Sequence, residues 1–83
     1  MKISSLINPL GNPQKETTII SFNNGNELLL HYGTPVAGFW DGMYIKSRDF
    51  HSQTTSKNVN LYLCGVEAAA VDQIDMDSYI DKI

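Results

Sequence analysis

The sequence predicts a small α+β domain: an antiparallel β-meander of about five strands, one helix packed on the sheet, and a short acidic helix at the C-terminus. Two dipeptides typical of tight hairpins, Asn24-Gly25 and Asp41-Gly42, each lie between apolar stretches. After residue 53 the apolar residues recur at intervals of three and four, which is the period of a helix. A chain of 83 residues has room for one modest core, so we expect a single domain.

Short segments rich in β-branched and aromatic residues predict the strands. These segments cover residues 2–7, 17–22, 27–32, 36–40 and 43–46. Residues 8–11 (Asn-Pro-Leu-Gly) have the order of a β-turn, because proline presets the second position and glycine suits the fourth. In the third segment Leu28, Leu30 and Tyr32 share one face and Leu29 lies on the other. Because both faces are partly apolar, we expect this strand to be central.

The helix that covers the sheet is expected to begin at residues 53–56 and to end near Cys64, with Gly65 as its C-terminal cap. Three hydroxyls are available for its N-terminal cap, those of Thr54, Thr55 and Ser56. The positions that share its apolar stripe are Val59, Tyr62, Leu63 and Val66. The positions expected away from the centre of that stripe are Asn58, Asn60 and Leu61.

Negative charge is concentrated at the C-terminus. Residues 1–66 contain five basic and four acidic side chains, a balance of +1, whereas residues 67–83 contain one basic and five acidic side chains, a balance of −4. We therefore divide the chain into a domain over 1–66 and an acidic segment over 67–83. A short helix is expected to start near Asp75 or Asp77. Its apolar side would consist of Tyr79, Ile80 and Ile83. The segment is either a solvated helix face or a surface that binds a partner or mimics nucleic acid.

Composition excludes several classes of protein. The apolar runs are far shorter than the roughly 18 residues that indicate a membrane span, and the N-terminus lacks a signal-peptide pattern. We therefore expect a soluble protein of the cytoplasm. The lone cysteine, Cys64, excludes a disulfide framework and makes a zinc site unexpected. Nucleic-acid binding is also not expected, because the net charge is −3 and phosphate neutralisation supplies most of such affinity.

Few side chains are available for catalysis. His31 lies between apolar residues and is expected to be packed, while His51 lies in a polar loop and is expected to face solvent. Cys64 follows a core position of the helix and is expected to be an inert apolar residue. Asp75-x-Asp77 lacks the glycine and the closing glutamate of a calcium loop. The sequence therefore predicts no catalytic residue, no metal and no cofactor, and we do not expect an enzyme.

The stretch from residue 44 to residue 60 combines basic side chains with hydroxyls at the predicted helix start. A helix N-terminus has free N–H groups and the positive end of the helix dipole, so it favours an anion. The candidate anion-binding residues are Lys46, Arg48, Thr54, Thr55, Ser56 and Lys57. The alternative interpretation is that the hydroxyls only cap the helix and the cations only solvate the surface.

Four aromatic residues lie around one predicted hairpin: Phe39, Trp40, Tyr44 and Phe50. Strand alternation places Phe39 and Trp40 on opposite faces, so at least one is exposed unless both faces are covered. An exposed aromatic beside polar loops is typical of a protein-binding hot spot, although core packing is the alternative. The candidate partner-binding residues are Phe39, Trp40, Tyr44, Asp75 and Asp77. Pairing of copies through an edge strand or the second sheet face is also expected.

Three short motifs follow one another along residues 2 to 65. They are Lys2-Ile3-x-Ser5-Leu6-x-Asn8-Pro9-x-Gly11-Asn12, then Tyr32-x-Thr34-Pro35-Val36-Ala37, then Thr54-Thr55-Ser56-Lys57-x-x-Asn60 with Leu63 and Gly65. Together they resemble a family of small bacteriophage proteins that has no assigned activity. The resemblance leaves out the acidic segment. It implies a phage source and an approximate fold with a helix start at the Thr-Thr pair, and it implies no mechanism.

These observations favour a binding protein. The first expectation is a non-enzymatic phage accessory protein of the host cytoplasm that binds a host protein or protein complex, for example to inhibit a defence system. The alternative is a small-ligand binder that sequesters a phosphorylated nucleotide at the helix N-terminus. A structural component of the virion is a second alternative, which mass spectrometry of purified particles would test.

Overall fold

The computed structural model describes residues 1–49 and 51–81, which form one six-stranded sheet and two helices. In chain order the elements are β1 (Lys2–Ser4), β2 (Thr17–Ser21), β3 (Glu27–His31), β4 (Thr34–Trp40), β5 (Met43–Ser47), α1 (Gln53–Leu63), β6 (Ala69–Val71) and α2 (Gln73–Ile80). The strands lie side by side in the order of the chain. The first five pair antiparallel and β6 pairs parallel with β5. The predicted α+β class is confirmed, and the sheet has one strand more than expected.

The central hairpins turn on residues with positive φ. Asp41 and Gly42 have φ values of 50° and 84°, which is the pattern of the two-residue turn whose twist matches the strands. Tyr32 and Gly33, with φ values of 53° and 78°, form a second turn of this kind. The hairpins predicted at residues 24–25 and 41–42 are both present. Tyr32 lies in a turn and is exposed, so the expectation that it shares the apolar face of β3 is wrong.

Strand β3 is central, as predicted, and its three leucines are buried from opposite sides. Leu29 belongs to a cluster on the α1 side of the sheet, together with Leu6, Val36 and Ala37. Leu28 and Leu30 belong to a cluster on the α2 side, together with Ile20. The two helices therefore cover opposite faces, and each face has its own small core.

Helix α1 covers nearly the predicted residues, but its N-terminal and C-terminal cap residues differ from those predicted. Its N-cap is Ser52, whose Oγ accepts a hydrogen bond of 3.0 Å from the backbone N–H of Thr55. The three hydroxyl residues predicted as caps lie instead within the first turn. The helix ends at Leu63, and Cys64 is in the left-handed conformation with φ 51°. Cys64 is exposed at the C-cap, whereas the prediction placed it on the helix as an inert apolar residue. Val66 lies beyond the helix.

The buried side of α1 differs from the predicted stripe, since it includes polar residues whose side chains have partners inside the protein. Asn58 is 1% exposed and its Oδ1 accepts a hydrogen bond of 2.9 Å from Nε2 of Gln14. Leu61 packs against the α1-side core. Both were expected away from the centre of the stripe. Since the prediction counted only apolar residues, a buried amide with a distant partner could not contribute to it.

The acidic segment joins the same sheet. Its strand β6 has only three residues, too few for a recognisable pattern. Because parallel neighbours need a crossover connection, α1 serves as the link between β5 and β6. Helix α2 starts two residues before Asp75, and its Tyr79 and Ile80 pack on the α2-side core as predicted. Ile83, expected on the same apolar side, lies outside the described residues.

Candidate functional site

A cavity of about 290 Å³ lies between the first half of α1 and the end of β5. Its polar and charged lining consists of Lys46, Ser47, Arg48, Asp49, His51, Thr55, Ser56 and Asn60. Its apolar lining consists of Val36, Val59 and Ala70. The volume is at the lower end of the roughly 300–1,000 Å³ of ligand sites, so the cavity suits one small group.

The parallel pairing of β5 with β6 positions the two permanent cations. Lys46 lies opposite Ala70 in the register, and the methyl side chain of Ala70 leaves the space beside Lys46 open. Arg48 is tied to β6 twice, since its backbone N–H donates to the Val71 carbonyl at 2.8 Å and its Nη2 donates to the Ala70 carbonyl at 3.2 Å. The guanidinium of Arg48 also pairs with Asp72 at 3.1 Å. Both side chains of this pair are largely exposed, so it adds little stability.

His51 reaches the cavity from the loop before α1 and is held by α2. Its Nε2 lies 2.9 Å from Oε1 of Gln73 and 3.4 Å from Oγ of Ser47. The amide nitrogen of Gln73 donates to the Pro35 carbonyl at 2.8 Å and to Oδ1 of Asp77 at 2.9 Å. The first turn of α2 therefore fixes the imidazole at the cavity.

Hydroxyl groups at the start of α1 have different roles. The Thr55 hydroxyl lies 2.7 Å from Nδ1 of the buried His31 and 3.0 Å from the Ser52 hydroxyl, so internal contacts occupy it. Ser56 lines the cavity. Thr54 and Lys57 are exposed and are not among the residues that line it.

Four of the six candidate anion-binding residues therefore meet at the cavity: Lys46, Arg48, Thr55 and Ser56. Sequence reasoning missed the contributions of Asp49 and Asn60, which are brought in by the loop and by the second turn of α1. Asp49 and the nearby Asp72 offset part of the positive charge. Along residues 1–49 and 51–81, no group of three or more His, Cys, Asp or Glu could hold a metal ion.

The candidate partner-binding aromatics are divided between the two faces of the sheet. Trp40 is half-buried: it stacks on Tyr79 with ring centroids 4.4 Å apart and meets Phe22 edge-on at 5.5 Å. Phe39 lies on the other face, 4.8 Å from Tyr44. Since α2 covers Trp40, this ring is part of the core contact, and Tyr44 is the exposed ring among the three candidate aromatics that the structure describes. Phe50 lies outside the described residues.

Tyr44 and its neighbour Tyr62 link β5 to α1. Their ring centroids are 6.5 Å apart, and the Tyr62 hydroxyl donates a hydrogen bond of 2.6 Å to Oε1 of Glu27. Burial first, and then the Glu27 carboxylate, raise the pKa of Tyr62 well above its ordinary range. The phenol therefore stays protonated at neutral pH. Asp75 and Asp77 are exposed on α2, across the sheet from this cluster.

Fold and cavity together define a small α+β protein with a polar hollow between its first helix and the edge of its sheet. A family model described as a family of unknown function (DUF8033) matches residues 6–78, and the chain belongs to this family. No curated protein and no solved structure matches the chain. Neither helix in the described part of the chain is long and apolar enough to span a lipid bilayer.

Proposed function

We propose that the protein binds a small anionic ligand in the cavity at the start of α1 and does not convert it chemically. The observation that carries this proposal is the convergence of Lys46, Arg48 and His51 on one hollow. Cationic donors form strong charge-assisted hydrogen bonds with phosphate and carboxylate oxygens. The ligand class we propose is a phosphorylated nucleotide whose phosphate enters the cavity.

Two acidic side chains lie near the cations of the cavity and reduce its net positive charge. Asp49 lies in the lining and Asp72 pairs with Arg48, so the net positive charge around the cavity is small. Affinity must then come from short contacts with Lys46 and Ser56 more than from a long-range field. The apolar lining offers a surface for the rest of the ligand, because Val59 and Ala70 present only hydrocarbon.

Calorimetric titration tests the proposal with AMP, inorganic phosphate and adenosine. We expect AMP and phosphate to bind and adenosine not to bind, because adenosine lacks the anionic group. Lys46→Gln should weaken AMP binding about tenfold or more, since a hydrogen bond to a charged group contributes about 1.5–3 kcal/mol. The matched control is Lys57→Gln, which removes the same charge from a residue outside the cavity.

Two results would contradict the proposal. One is the absence of heat with both anions in the wild-type protein at low ionic strength. The other is equal weakening by Lys46→Gln and Lys57→Gln, which would indicate a general electrostatic effect in place of a site.

We also propose a second function: a phage accessory protein of the host cytoplasm that binds a host protein or protein complex, for example of a defence system. The exposed start of β5 favours it, because Met43 and Tyr44 are 57% and 37% exposed and both line one open groove. Trp40 is a weaker candidate contact than expected, since Tyr79 stacks on it.

A photo-crosslinking amino acid at residue 44 tests this second function in infected cells. Tyr32 provides a matched control because it is also an exposed tyrosine, 72% exposed, but lies in the turn after β3. We expect a defined host-protein adduct from position 44 and none from position 32. An adduct between two copies of the chain would indicate a homo-oligomer instead, and no adduct at position 44 would contradict the proposal.

A further inference from the structure

A second hollow, a groove of about 400 Å³, lies beside the start of β5 and is separate from the anion cavity. It is lined by Met43, Tyr44, Glu67, Ala68 and Ala69. One wall is therefore the strand that follows the Asp41-Gly42 turn, and the other is the segment that leads into β6. The two hollows share no lining residue.

Tyr44 is a fixed wall of this groove. Its ring meets Phe39 edge-on at 4.8 Å and Tyr62 at 6.5 Å, and the Tyr62 hydroxyl is held by Glu27. Two aromatic neighbours limit the rotation of the Tyr44 side chain, while 37% of the residue stays exposed. A ring ordered in this way can receive a flat or cationic group with little loss of conformational freedom.

The charge along the groove has one sign. Of the five residues that line it, only Glu67 is charged, while the nearest basic residue along β5, Lys46, lines the other hollow. Glu67 lines the groove and is exposed. A carboxylate beside an aromatic face and a thioether attracts a cation that has an apolar stem.

We propose that this groove receives an arginine or lysine side chain from an extended segment of a partner protein. The cationic group lies over the Tyr44 ring and faces Glu67, and its methylene stem lies along Ala68, which also lines the groove. Arginine is favoured over lysine, because a guanidinium is planar, stacks on rings and is weakly hydrated. The inference gives a chemical identity to the partner contact of the second proposed function and is independent of the anion cavity.

NMR titration of the full chain tests the inference with two matched peptides, acetyl-Gly-Arg-Gly-amide and the same peptide with citrulline. Citrulline keeps the shape of arginine and lacks its charge. We expect the arginine peptide to shift the amide signals of residues 43–45 and 66–69 and to bind about tenfold more tightly than the citrulline peptide. Glu67→Gln should weaken arginine binding about threefold. Glu16→Gln, an equal charge change at an exposed residue before β2, should leave it unchanged.

Equal affinity for the two peptides, or shifts outside these residues, would overturn the inference. So would a Glu67→Gln variant that binds as tightly as the wild type. Titrating AMP into the same samples separates this result from the anion proposal, because AMP should shift signals of the cavity residues and should respond to Lys46→Gln but not to Glu67→Gln. Loss of arginine binding with retained AMP binding would refute only the groove.

Discussion

Replacing Thr55 by valine tests whether the buried hydrogen bond at the start of α1 stabilises the packing of this helix on the sheet. The Thr55 hydroxyl and Nδ1 of His31 are 2.7 Å apart, and each residue is only 6% exposed. Valine has nearly the shape of threonine and a similar helix propensity. The substitution therefore removes the hydroxyl, keeps most of the packing, and leaves the imidazole nitrogen buried without this partner.

The expected loss of stability follows from that unpaired nitrogen. Leaving a buried polar group without a partner costs about 1–3 kcal/mol. For a chain of 83 residues this lowers Tm by about 6–17 °C. The contact of Thr55 with the Ser52 hydroxyl adds little, because Ser52 is exposed and water can replace the lost partner.

Urea unfolding of four proteins measures this effect: the wild type, Thr55→Val, His31→Leu and the double variant. In the His31→Leu background no imidazole remains to be left unpaired, so Thr55→Val should cost less than about 0.5 kcal/mol there. The difference between the two backgrounds is the coupling energy of the pair. If Thr55→Val costs the same in both backgrounds, the hydrogen bond does not carry the stability and the reasoning is wrong.

Two further predictions concern a contact between α1 and the sheet and a close approach between two strands. Because the pKa of Tyr62 is raised in the folded state, the protonated phenol stabilises the fold fully below the ordinary pKa of 10.0, and this contribution is lost as the pH rises beyond that value. The free energy of unfolding measured from pH 8 to 11 should therefore fall less steeply in Tyr62→Phe than in the wild type. Identical slopes would contradict this. Gly38→Ala places a Cβ against the Glu27 carbonyl, which cannot rotate away, so it should cost about 1–3 kcal/mol in urea unfolding, and an unchanged midpoint would contradict this.

Local signals predicted most of the fold because each depends on a few neighbouring residues. Each of the dipeptides at residues 24–25 and 41–42 specifies a hairpin by itself; φ is positive at Gly25 in the first and at both residues of the second. The three consecutive leucines of β3 predicted a central strand, because they give it apolar side chains on both faces and a strand covered on both sides needs two apolar faces. Strand β6 escaped detection because it has three residues and its pairing partner, β5, lies on the other side of α1 in the sequence.

The candidate sites were predicted less well because they depend on contacts between distant segments. Lys46 and Ser56 could be grouped from the sequence, since a strand end and a helix start lie close along the chain. The stacking of Trp40 on Tyr79 could not be predicted, because it requires α2 to lie on the opposite face from α1. Asn58 was misplaced for the same reason: its partner, Gln14, is 44 residues away.

Both hollows depend on the small side chains of the last strand and of the residues before it. Alternation along β5 directs Tyr44 and Lys46 to the same face of the sheet, although they line different hollows. The parallel register sets Ala70 beside Lys46 and Ala69 beside Ile45, and these two alanines border the cavity and the groove respectively. Larger side chains there would fill both spaces. The acidic segment therefore does more than add negative charge, because it forms a wall of each proposed site and brings Glu67 to one and Asp72 near the other.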